Sequence, residues 1–137
     1  MKSIRSYYLV MLLALLVTVE TEAQNDVTDA TIEEISKTLR IGNSRELAFY
    51  FNDVVELKID GEKQNYSSVQ AEAIMKNFFV KYPPVGFVKI HKGSSKEGLS
   101  YVLGKYSHKK GTHRVYMLIK QVEEGKYKID TFDFTKE

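Results

Sequence analysis

The sequence predicts an α+β domain in which a curved antiparallel sheet wraps about three N-terminal helices. Three observations carry this. Apolar residues at helical spacing are confined to the chain before Pro83-Pro84. Beyond that pair the chain reads as four long runs rich in alternating apolar residues, separated by turn chemistry. The connections between those runs are short, which favours antiparallel neighbours.

The chain of 137 residues opens on a segment that is set apart from the domain. Lys2 and Arg5 form a basic start, and Tyr7 to Val19 is an apolar run that ends at Glu20 and Glu22. A helix needs about 20 apolar residues to cross a bilayer, and this run is shorter. Thr21-Glu22-Ala23 then places small residues where a signal peptidase reads. Residues 1–23 are therefore expected to be a cleaved secretory signal and residues 24–137 a single domain. The expected location is the periplasm, with no integral membrane segment after cleavage. An uncleaved anchor is the weaker alternative. The chain has no cysteine, which excludes disulfides, thiol nucleophiles, cysteine-ligated metals and the acylated cysteine of a lipoprotein. An exported domain without staples has to hold together by packing, helped by dimerisation. The formal charge of +2 argues against nucleic acid as a partner.

The first helix is expected from Thr28 to Ile41. Val27, Ile32, Ile35 and Leu39 share a stripe, Thr31 and Glu34 have capping-box spacing, and Gly42 stops it. Asn43 and Glu46 start a second helix, Ser44 to Phe51, burying Leu47, Tyr50 and Phe51. Val54 to Ile59 alternates as a strand, and Asp60-Gly61 turns it into a return strand near Lys63 to Tyr66. Ser67 and Gln70 cap a third helix, Ser68 to Lys81, whose apolar set is Val69, Ala73, Ile74, Phe78 and Phe79. Four strands follow, Val85 to Lys92, Leu99 to Ser107, Thr112 to Val122 and Lys126 to Phe134. In the third of these, His113, Val115, Met117 and Ile119 share one face and Arg114, Tyr116, Leu118 and Lys120 the other. With apolar residues on both faces, the outer one needs a cover, and a second copy is the simplest. Arg114, Tyr116 and Leu118 are the expected interface residues.

This order of elements resembles the nuclear-transport-factor-2-like (cystatin-like) cone. More specifically, IxxISKTLRIGNSRELAFYFNDVVELKI, YSSVQAEAIMKNFFVKYPP, FVKIHKGSSKEGLSYVLGKY and HRVYMLIK resemble domain-of-unknown-function family 4783, small exported proteins typical of Bacteroidota. The resemblance covers about residues 29 to 134. It implies a fold and a cell-envelope location, and it brings no catalytic residue and no cofactor.

The residues themselves offer few sites. His91 sits in one strand, while His108 and His113 flank Lys109-Lys110-Gly111 and can approach across that turn. No acidic residue is close in sequence, and Lys105, Lys109, Lys110 and Arg114 would repel a divalent cation. Exposed turn histidines are expected, and no metal. The same stretch is the densest positive charge. It reads as a solvated tip guarding a sheet edge, with an anion-binding patch as the second reading. Gly93 to Gly98 lacks phosphate-loop spacing, and there is no G-x-S-x-G elbow. Tyr50, Asp53, Tyr101 and Tyr116 are candidate parts for proton transfer of the isomerase, lyase or hydrolase type, an alternative that rests on fold analogy. Phe49, Phe51, Phe78, Phe79 and Phe87 read as core. Where the cone is incompletely filled, Tyr50, Phe78, Phe87, His91 and Tyr101 are the pocket candidates. The function expected is a non-catalytic exported domain that binds a small ligand or an envelope protein and works as a homodimer.

Overall fold

The computed structural model describes residues 27–94 and 98–137. The expected signal and its cleavage site, and Ser95-Lys96-Glu97 of the glycine-flanked loop, lie outside the described residues. Among the described residues no helix is long and apolar enough to cross a membrane.

Helix α1 spans Asp29–Ile41 and ends on Gly42, whose φ of 68° is the left-handed conformation a glycine cap adopts without strain. Its N-cap is Thr28, whose hydroxyl accepts from the Thr31 amide at 3.2 Å. Thr31 and Glu34 lie inside the helix, past its cap. The stripe of Ile32, Ile35 and Leu39 is buried together with Val27. Helix α2, Ser44–Ala48, starts on Asn43, whose side chain accepts from the Glu46 amide at 3.0 Å. It ends three residues before the expected boundary, because Phe51 already pairs with Ile129 and sets its ring edge-on to Phe132.

Strands β1 (Phe51–Ile59) and β2 (Glu62–Ser67) form the hairpin. Asp60 and Gly61 both have positive φ, 50° and 90°, as a type I′ turn requires. Helix α3 covers Ser68–Lys81 behind the expected Ser67/Gln70 capping box. Its buried stripe is Ala71, Met75, Phe78 and Phe79, while Val69 is 75% exposed. The helix is therefore rotated away from Val69 and Ala73, while Ile74 of the expected set packs half-buried against the core. The rotation seats Phe78 against Phe134 (4.6 Å between ring centres), Tyr106 (5.5 Å) and His113 (5.3 Å).

The remaining strands are β3 (Pro84–Ser94), β4 (Leu99–His108), β5 (Gly111–Glu123) and β6 (Lys126–Lys136). The six form one sheet in the order β2-β1-β6-β5-β4-β3. Strands β3 to β6 are the antiparallel meander expected, but β1 lies parallel to β6, which makes the sheet mixed. Register shifts in β3, in β5–β6 and in β1–β6 increase local twist and bend the sheet around the helices. Inside the curve Val102, Tyr106, Val115, Met117, Ile119, Ile129, Phe132 and Phe134 meet the stripes of α1 and α3 in one core. Gly104 is where β4 lets Phe87 lie flat, since a Cβ there would stand 2.3 Å from the Phe87 ring.

Candidate functional site

At one end of the sheet, β4 and β5 bring His108 and His113 together under the ring of Tyr82, the residue that closes α3. Their side chains face inward because they continue the buried rows of Val102–Tyr106 and Val115–Ile119. The expected exposed turn histidines are therefore buried ones, 7% and 0% exposed. The reason is the parity of the strands: β4 runs one residue further than expected and takes in His108, and His113 shares the inward face of Val115, Met117 and Ile119.

Backbone chemistry fixes the protons in this pair. The Lys110 amide can only donate, and it points at His108 Nδ1 at 3.1 Å. His108 then carries its proton on Nε2 and donates to His113 Nδ1 at 2.9 Å. His113 in turn donates from Nε2 to Asp60 Oδ1 at 3.0 Å. The result is a directed chain of amide, imidazole, imidazole and carboxylate, with both rings neutral. Burial first, then His113, Lys110 and Lys136, push the His108 pKa below its ordinary value. Asp60 comes from the β1–β2 turn, where its positive φ and the bond from its amide to Phe134 O at 2.9 Å aim the carboxylate. The Lys136 amide donates to the same oxygen at 3.1 Å.

Tyr82 covers the chain. Its hydroxyl is buried and its proton finds no acceptor among the described residues, while its carbonyl accepts from the Tyr106 hydroxyl at 2.6 Å. Desolvation raises the pKa of Tyr106. Three ammonium groups surround the Tyr82 ring: Lys81 at 5.2 Å, Lys136 at 5.6 Å and Lys110 at 5.8 Å from its centre. Lys136 and then Lys81 lower the pKa of the Tyr82 hydroxyl.

The residues singled out from sequence are divided among three places. Phe78 and Phe87 are core, 4% and 3% exposed. Tyr50 lines a cleft of about 430 Å3 between α1 and α2, with Glu34, Lys37, Thr38, Glu46 and Phe49. There its hydroxyl donates to Glu34 Oε2 at 2.8 Å, and burial, then Glu34, push its pKa up to about 12. His91 and Tyr101 lie on the outer face of the sheet, joined at 3.2 Å between His91 Nε2 and the hydroxyl. Tyr101 also crosses Gly93, where a Cβ would meet its ring at 2.4 Å. Asp53 is exposed on β1, so Tyr50, Asp53, Tyr101 and Tyr116 do not share an interior pocket. Among the described residues no group of three or more His, Asp or Glu converges to hold a metal ion.

On the outer face, Leu103 pairs with Tyr116 and Tyr101 with Leu118 across β4 and β5. All four are half-buried, and the rings of Tyr101 and Tyr116 lie nearly parallel, 6.4 Å apart at 20°. Lys105 and Arg114 border this apolar block on one side, and Lys120 borders it on the other.

Comparison with known proteins places this geometry in a group. A sequence profile described as "Domain of unknown function (DUF4783)" matches residues 32–135. The chain is similar to a DUF4783 family protein of Bacteroides ovatus at 29% identity and a TM-score of 0.73, covering 84% of this chain and 98% of that one. A second, from Bacteroides fragilis, has 25% identity and the same TM-score, covering 82% and 100%. A cystatin-like domain of unknown function from Nostoc punctiforme matches in fold alone, with 10% identity, a TM-score of 0.61 and coverage of 79% and 74%. No curated protein matches the chain.

Proposed function

The chain belongs to the DUF4783 family, and from that premise we propose an exported, non-catalytic binding domain of the cell envelope that works as a homodimer joined through the outer face of its sheet. The observation that carries this reading is the apolar block of Tyr101, Leu103, Tyr116 and Leu118 ringed by Lys105, Arg114 and Lys120. An apolar centre with a charged rim is the anatomy of a protein interface, and a two-fold axis through it would bury the block against its own copy. A filled core and the dispersal of the proton-transfer candidates support a binding role over a catalytic one. The α1–α2 cleft beside Tyr50 is the opening of small-ligand size.

The test is the mass in solution of the chain from Gln24 onward, by light scattering. A dimer is expected, and Tyr116→Glu with Leu118→Glu should give a folded, soluble monomer with an unchanged circular dichroism spectrum. A monomeric parent, or a double variant that stays dimeric, overturns the interface. Export is tested by the mass of the protein recovered from its own envelope fraction. A chain starting near Gln24 supports export with cleavage, and one that retains Met1 refutes cleavage in favour of the uncleaved anchor.

A further inference from the structure

We infer that the end of the sheet around Tyr82 is a binding site for a dianionic oxyanion, a phosphate or phosphomonoester group, held by Lys81, Lys110 and Lys136 and by the Tyr82 hydroxyl. Three cations converge from three separate elements, the end of α3, the β4–β5 turn and the end of β6, onto one ring at 5.2, 5.8 and 5.6 Å. Like charges gathered around one ring repel one another, and an anion among them relieves that repulsion. The acidic group placed to offset them is Asp60, and its Oδ1 is already committed to His113 Nε2 at 3.0 Å and to the Lys136 amide at 3.1 Å. The ammonium groups outnumber this carboxylate, and the excess positive charge suits an anion.

The second observation is independent of charge. The Tyr82 hydroxyl is buried beneath these lysines, which can only donate, and its own proton has no acceptor among the described residues; a buried donor without an acceptor requires a reason. An oxyanion seated among the ammonium groups supplies the missing acceptor, and the bond so formed is charge-assisted. The two imidazoles under the ring are neutral and add no charge to the site, which leaves the lysines and the phenol as its donors. This site lies within one protomer on the core side of the sheet and does not depend on the outer face, so a titration reads it whatever the oligomeric state.

The experiment is calorimetric titration of the purified domain with inorganic phosphate at low ionic strength. Binding is expected, weakening as sodium chloride is raised. Tyr82→Phe removes only the hydroxyl whose proton lacks an acceptor. It should weaken phosphate by about tenfold, the scale of one hydrogen bond to a charged group, while thermal stability holds or rises. Lys136→Ala should weaken it by at least as much. Glycerol 3-phosphate and vesicles of phosphatidylcholine doped with phosphatidic acid then identify the source. Retention on the vesicles assigns a lipid headgroup, and binding of the soluble ester alone assigns a free metabolite. Failure of phosphate, ester and vesicles to bind overturns the site, as does a Tyr82→Phe variant that binds like the parent.

Discussion

One backbone amide decides the charge state of the buried histidine pair. Because Lys110 N–H occupies His108 Nδ1, a proton arriving on that nitrogen would face a donor. Protonation is further opposed by burial and by His113, Lys110 and Lys136, with Asp60 alone pulling the other way. The folded pKa of His108 is thus below the ordinary value near 6.5, and the unfolded chain takes up the proton first. The sign follows from linkage. This contribution to stability is complete above about pH 6.5 and is lost as the pH falls through the depressed value. Urea midpoints measured between about pH 7.5 and about pH 5 should fall on acidification, and His108→Gln should flatten that fall. The sequence placed His108 and His113 across a hairpin and Asp60 in a turn, each correctly. That Asp60 meets His113, a residue 53 positions away, was not legible, because it needs the β1–β2 turn to reach the end of β6. Tyr82 and Lys136 were missed for the same reason, their proximity being set by packing and not by spacing.

At the scale of the element, local chemistry was read well and orientation less so. The Ser67/Gln70 box could be recognised because both of its bonds are local. Ser67→Ala should therefore cost about 1 kcal/mol, read as a lowered midpoint in chemical denaturation with α3 still formed. Which stripe of α3 faces the core was not legible. A row through Val69 and Ala73 and a row through Ala71, Ile74 and Met75 are both acceptable apolar stripes, and only contact with Phe134 and Tyr106 selects between them. The parallel pairing of β1 with β6 was hidden similarly. Period-two alternation is the same in parallel and antiparallel strands, and rules on connection length speak only of strands that follow one another. The outer face of β5 was legible residue by residue, since Tyr116 and Leu118 alternate with four inward side chains that are all buried.

For the whole molecule, the order of strands has a temporal meaning. Strand β6 is the last to be made, yet in the sheet it sits between β1 and β5. A chain that emerges N-terminus first must hold its hairpin and its meander apart until the final eleven residues of β6 arrive. Through that interval the inward edges of β1 and β5 are both open templates for mispairing. A chain ending before Lys126 should therefore be recovered as aggregate or degraded product instead of a smaller folded domain, a result that sedimentation after expression would reveal at once. The same topology makes maturation all-or-none. The last strand acts as a clasp, and a ribosome that stalls or a protease that nicks within it leaves the two parts of the sheet without the strand that pairs them.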